Sequence, residues 1–297
     1  MEKNAMNIDT VWPRELLYWH RMSSTQLSRY VDTTQPGQRV VIFVWGVLES
    51  HGPHLPLASD THLASIAADT VAERLRTEHG VQPIIFDGWK NVGSLSATRN
   101  FPGAIGFHSS VPVIRELWEQ TLTRMVREGF RKFFLVNGDG GNWMNHWYGL
   151  KWDSPVINQL TSEGVKFEGT NWDQEGGEPY LHGGHHEHAL TTWACRYAPE
   201  FVRFSAIRHG LVAPDEETLK NIDGANQKYL EDVPHRERDW STYPGQDRLR
   251  SVTEFSYAKY RELLYNDDGS PRTEGGIGDD FAAKVEHLKK KALTALA

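Results

Sequence analysis

The chain has 297 residues, with 32 Lys and Arg against 39 Asp and Glu for a formal charge of -7, 39% hydrophobic residues and a single cysteine. Its 11 Trp, 10 Tyr and 12 Phe supply enough apolar surface for a sizeable core, which excludes intrinsic disorder, and the acidic balance argues against sequence-independent binding of nucleic acid or anionic membrane. Cys195 has no intrachain disulfide partner and Met1-Glu2-Lys3-Asn4 leads into no apolar signal segment, so a cytoplasmic protein is expected, and the acidic balance leaves a small-molecule substrate or another protein as its partner.

The first clear element is Val40-Val41-Ile42-Phe43-Val44-Trp45-Gly46, a continuous apolar run rather than an alternating one. That pattern predicts a strand buried on both faces, as in a parallel sheet, and the run is far short of the roughly 20 residues that span a bilayer. From Thr61 to Glu78 the apolar positions Leu63, Ile66, Ala67, Val71 and Leu75 recur at helical spacing, and Gly80 stands where it would end the helix. The order then repeats, with a strand over Gln82 to Phe86, a helix over Ser110 to Glu128 and a strand over Lys132 to Val136. Alternation of this kind implies a mostly parallel sheet covered by helices.

Further helices are predicted at Ser154 to Glu163, His188 to Tyr197, Asp215 to Glu231, Ser251 to Tyr265 and Asp280 to Leu296, with no strand beyond about Phe204. No internal repeat or linker-sized tract divides the chain, so one domain is expected over residues 1–297, its part from about 213 onward helical. The stretch from Asn142 to His188, rich in Trp and Gly and poor in periodicity, reads as a long functional loop region.

Three clusters can carry chemistry. Glu49-Ser50-His51-Gly52-Pro53-His54-Leu55-Pro56-Leu57-Ala58-Ser59-Asp60 follows directly on the first strand, where a stiffened loop could bring carboxylates and imidazoles together on a divalent metal. Asn137-Gly138-Asp139-Gly140-Gly141-Asn142 follows the third predicted strand; taken alone it reads equally as a turn with Asx-type hydrogen bonds. His182-Gly183-Gly184-His185-His186-Glu187-His188 gathers four of the 14 His, a composition of metal sites but also of solvated loops. In a parallel sheet the carboxyl ends of the strands share one edge, so the clusters can meet in one crevice.

The first cluster resembles the opening motif of the creatininase family of metal-dependent amidohydrolases, Glu-x-His-Gly-Pro-His-Leu-Pro-Leu with an Asp nine residues after the His, matched by Glu49, His51 and Asp60. Phe101 to Ile105 resembles the family's Pro-Gly-Thr-Ile, and Asn137 to Asn142 its Asn-Gly-His-Gly-Gly-Asn. His185 to Val202 resembles its His-Ala-Gly-Glu segment through Thr191, Pro199, Glu200 and Val202.

The resemblance implies a three-layer α/β/α sandwich, a two-metal site holding Zn with a second Zn, Mn or Fe, and hydrolysis of a carbon–nitrogen bond in a small cyclic or formylated amide. It also implies a closed homo-oligomer, often a hexamer. Glu49 would ligate one metal, His51 the other, and Asp60 would bridge both. Asp139 stands where the family has a ligating His, and His188 aligns with its ligating Glu. This exchange leaves the charge of the ligand set unchanged, which favours an altered but working site: one all-carboxylate position (Glu49, Asp60, Asp139) beside a His-rich one (His51, Asp60, His188).

His185, matching the third motif's His, is the expected general acid or base, with Glu49 also placed in the catalytic set. Trp172, Trp143 and Asn142 are the expected substrate contacts, although a Trp more often fills the core. Two other readings stand beside amide hydrolysis, namely ring opening of a cyclic keto-polyol such as an inosose, and a non-catalytic metal-binding protein of the same fold.

Overall fold

The computed structural model describes residues 16–48, 56–93, 111–139, 142, 147, 149–171, 228, 232 and 286–294. Its centre is a five-stranded parallel sheet in the order β1-β3-β2-β4-β5. The strands are β1 (Leu17–Tyr18), β2 (Val40–Trp45), β3 (Ile84–Phe86), β4 (Lys132–Asn137) and β5 (Lys166–Asn171). Four α-helices accompany them: α1 (Ser24–Thr33), α2 (Ser59–His79), α3 (Val111–Arg127) and α4 (Pro155–Ser162).

All six residues of β2 are buried, and its two faces feed two separate cores. Val40, Ile42 and Val44 pack with Leu63, Ala64, Ala67, Ala68, Val71 and Leu75 of α2 and with Leu288 and Ala292 of a helical stretch at 286–294. Val41, Phe43 and Trp45 pack on the opposite side with Tyr30 of α1, Ile114 and Trp118 of α3 and Ile157 of α4. Helices on both faces of a parallel sheet make the three-layer α/β/α sandwich, and the double burial explains why β2 carries no polar alternation. The second core is aromatic: Trp118 lies 4.8 Å from Phe43 and 5.3 Å from Trp45 between ring centroids, and Trp147 lies 5.0 Å from Phe167.

The predicted strands and helices around β2, α2, β3, α3, β4 and α4 are present, and α2 ends where expected, at Gly80 with φ of 65°. Four elements were not expected from the sequence. β1 is two residues long, and α1 opens on a reciprocal cap in which Ser23 and Gln26 exchange side chain-to-backbone hydrogen bonds. β5 lies inside the stretch read as irregular, and a short π-helical turn, Gly149–Asp153, precedes α4 there. Of the helices predicted after residue 188, residues 228, 232 and 286–294 are helical, and the rest of those predictions fall outside the described residues.

Chain order positions the site. β2 leads through α2 to β3 on one side, while β4, which follows α3, lies on the other side of β2 and leads on to β5. Connections therefore leave β2 and β4 in opposite directions, which opens a crevice at their carboxyl ends.

Candidate active site

β2 and β4 run in register from Val40 opposite Lys132 to Trp45 opposite Asn137, so Gly46 and Gly138 emerge side by side. The Gly138 amide donates to the Trp45 carbonyl at 2.8 Å, which extends the ladder one step past the strand. Immediately above this step stands the first turn of α2. A Cβ on Gly138 would lie 2.1 Å from the Asp60 carbonyl oxygen, and one on Gly46 would lie 2.5 Å from the Thr61 hydroxyl. Both contacts are far inside any real Cβ approach, so the two strand ends and the helix start can meet this closely only because neither residue has a side chain.

Asp60 is 2% exposed and Asp139 6%, and the Gly138 contact sets them at the same edge. Asp60 sits in the first turn of α2, where the positive end of the helix dipole favours an anion. Asp139 is held by its own loop: its Oδ2 accepts from the Asn142 amide at 2.5 Å, and its carbonyl accepts from the Asn137 side chain, also at 2.5 Å. The Asn142 carboxamide, fully buried, donates to the Gly46 carbonyl at 3.1 Å and so ties the loop after β4 back to the end of β2. The Asx-type turn read from the sequence is present, and it orients one carboxylate oxygen without excluding a second task for the other.

Among the described residues no group of three or more His, Cys, Asp or Glu is gathered for a metal. Glu49, His51, His185, His188, Trp143 and Trp172 all lie outside the described residues. The part of the expected set that is described nevertheless fits a divalent cation. Asp60 and Asp139 are both buried at this edge, and carboxylates are the hard oxygen donors that such a cation takes. Trp147 belongs to the core against Phe167, not to a pocket wall.

The sequence gave no hint of the loop at 87–93, which lies against both strand end and helix start. Its Lys90 carbonyl accepts from the Gly46 amide at 2.8 Å, and its Val92 carbonyl from the Trp45 indole at 2.6 Å. The same Lys90 carbonyl lies 2.9 Å from the Thr61 hydroxyl, with the Asn91 carboxamide 2.8 Å from that hydroxyl. No motif marks Asp87-Gly88-Trp89-Lys90 as more than a turn, so only the fold brings it to the site.

Asp87 anchors this loop, contacting His20 at 2.6 Å and Lys90 at 3.1 Å. Burial pushes its carboxyl up, but the hydrogen bonds and charges of Lys90 and His20 outweigh burial and hold it below the ordinary aspartate value of 3.8. A carboxyl lowered in the folded state stabilises fully above the unfolded value and loses that contribution as pH falls through the folded one. Because His20 and Lys90 are about half exposed, Asp87→Asn is expected to cost no more than about 1 kcal/mol near neutral pH. Urea titrations at descending pH should show the gap between variant and parent closing below pH 3.8; a gap that is constant down to pH 2 would contradict the anchor.

Comparison with known proteins follows the same lines. A family model described as Creatininase: Creatinine amidohydrolase matches residues 20–246. The chain is 30% identical over 194 residues to the mycofactocin precursor peptide peptidase of Mycobacterium tuberculosis, covering 63% of this chain and 68% of that protein. A mutant creatininase complexed with creatine superimposes with a TM-score of 0.65 at 15% identity, over 95% of this chain and 99% of its own. A structure described as creatininase with Mn gives a TM-score of 0.55 at 16% identity, over 84% and 99%. At these identities the solved structures establish the fold.

Proposed function

The chain belongs to the creatininase family, and from that premise we propose that it is a hydrolase of a carbon–nitrogen amide bond, whose residues at the carboxyl ends of β2 and β4 would hold divalent metal. The observation that carries this reading is the placement of Asp60 and Asp139, both buried, at one edge where Gly46 and Gly138 let helix and strands close on each other. Glu49, Asp60 and Asp139 would hold one ion and His51, Asp60 and His188 the other, with Asp60 shared. When bound, divalent metal there would supply a nucleophilic water near neutral pH and polarise the carbonyl. The chain's own residues would have separate tasks. Asn142 and Asn137 fix the loop that carries Asp139, and the α2 dipole favours the Asp60 charge. His185 would hand a proton to the departing nitrogen, since an imidazole titrates near working pH. Trp172, Trp143 and Asn142 remain the proposed substrate contacts.

Two substrate classes fit an amide cleavage. A small cyclic amide is the class implied by the motifs. A short peptide is favoured by the 30% identity to a protein named as a peptide peptidase. No helix among the described residues is long and apolar enough to cross a membrane.

The test combines metal analysis with turnover. Protein purified without chelators is expected to hold two divalent equivalents per chain, to lose activity on chelation and to regain it on adding Zn or Mn. A panel of lactams, cyclic ureas, short peptides and an inosose then separates the classes. Turnover of the inosose alone would overturn amide cleavage, and a metal-replete protein that turns over none of the panel while His185→Ala changes nothing measurable would favour the non-catalytic reading.

A further inference from the structure

Thr61 follows Asp60 in the chain and is itself 4% exposed. Its surroundings are unusually fixed. On one side is the backbone of Gly46, close enough that a Cβ there would lie 2.7 Å from the Thr61 amide nitrogen and 2.8 Å from its Cα. On the other is the loop at 87–93, with the Lys90 carbonyl 2.9 Å and the Asn91 carboxamide 2.8 Å from the hydroxyl. The hydroxyl has one proton to give, so when the Lys90 carbonyl takes it, half a turn of the Asn91 carboxamide lets its NH2 group donate in return. The same Lys90 carbonyl receives the Gly46 amide, so strand end, helix start and loop converge on one oxygen atom.

The first turn of α2 has no side-chain cap at Ala58 to fix it. The Ser59 hydroxyl bonds the Pro56 carbonyl at 2.6 Å, a contact that does not tie the start of α2 to another element. The Thr61 hydroxyl does, because it pins the next residue to a separate element.

We propose that Thr61 is a positioning residue for Asp60, its hydroxyl clamping the first turn of α2 to Lys90 and Asn91 so that the Asp60 carboxylate keeps one orientation toward the metal centre. The assignment rests on the metal-centre reading above and goes beyond the ligand set by giving the loop at 87–93 a task. Outer-shell groups that orient a metal ligand commonly change affinity by about 10- to 100-fold, whereas a merely structural hydroxyl changes stability alone.

The experiment uses the full chain stripped of metal and titrated with Mn2+, free ion being read from its electron paramagnetic resonance signal. Thr61→Val keeps the shape and removes the hydroxyl; Thr61→Ser keeps the hydroxyl. Valine is expected to weaken Mn2+ binding about 10- to 100-fold and to change the bound-ion spectrum, and serine to restore binding to within about threefold of the parent. Asn91→Ala, which alters the loop and leaves α2 intact, is expected to weaken binding in the same direction, and it decides the matter if the valine variant does not fold. Valine or Asn91→Ala binding Mn2+ as the parent does, with only a lower melting temperature, overturns the positioning role. A folded parent that binds no Mn2+, Zn2+ or Fe2+ overturns the metal centre itself, a distinct outcome because it appears before any variant is made.

Discussion

Asp60→Asn is expected to leave a folded protein that has lost its shared metal ligand. Asparagine matches aspartate in shape, so the buried first turn of α2 keeps its packing while the negative charge disappears from the crevice. On the proposed assignment both ions lose a ligand at once, and metal content should fall from two equivalents to one or none. Metal-derived stabilisation of the developing charge is worth several kcal/mol, and roughly 4 kcal/mol corresponds to about 10^3 in rate, so hydrolysis should fall by that factor or more. Circular dichroism and urea denaturation check the fold, elemental analysis the metal, and turnover the chemistry. A variant that keeps two equivalents would remove Asp60 from the site and redirect attention to the carboxylates and imidazoles of the loop before α2.

Gly138→Ala should be more damaging than its one added carbon suggests. The new Cβ would meet the Asp60 carbonyl oxygen at 2.1 Å and the carbonyl carbon at 2.8 Å, backbone atoms with no rotamer to retreat into. Overpacking a core with side-chain neighbours costs about 1–3 kcal/mol, and an obstacle made of backbone belongs at or above the top of that range. Relief requires the end of β4 or the start of α2 to move by more than an ångström, which would also stretch the Gly138 bond to Trp45. The expected outcome is a loss of about 3 kcal/mol in urea denaturation together with loss of metal, whereas Gly37→Ala, with nothing within 4 Å of its added Cβ, serves as the harmless control. Parent-like stability in the Gly138 variant would show that the close approach does not exist in solution.

How much of this was legible in the sequence follows from where each element gets its information. β2 and β4 are buried on both sides, so they wrote themselves as apolar runs, and α2 and α3 carry apolar stripes at helical spacing. β5 could not be read this way. Lys166-Phe167-Glu168-Gly169-Thr170-Asn171 mixes charge, glycine and one aromatic, and it is a strand because β4 offers it a ladder from Lys132 to Asn137. β1 is too short to carry a period, and α1 is a short helix marked by the Ser23–Gln26 cap and by Leu27, Tyr30 and Val31 at helical spacing. At the site, Asp60, Asp139 and Asn142 were legible because each lies within a motif directly after a strand. Thr61, Lys90 and Asn91 were not, since their contribution is made by hydrogen bonds between segments some 30 residues apart, one of them through a backbone carbonyl that any residue could supply.

The helical stretch at 286–294 packs in the same core as α2, with Leu288 and Ala292 fully buried, and ion pairs join Arg74 to Glu286 at 2.5 Å and Lys289 to Glu78, also at 2.5 Å. These partners are more than 200 residues apart in the chain. During synthesis, therefore, α2 is made early and covered late. While the ribosome works through the intervening stretch, the apolar face that Leu288 and Ala292 will occupy faces water, and the helix that presents Asp60 lacks that packing. At translation speeds of about 5–20 residues per second that interval lasts on the order of ten seconds or more, long enough for a chaperone to bind or for two nascent chains to stick together. The apolar cluster that Leu288 and Ala292 share with α2 is thus completed only when residues 286–294 arrive, after the strands that frame the site have been made.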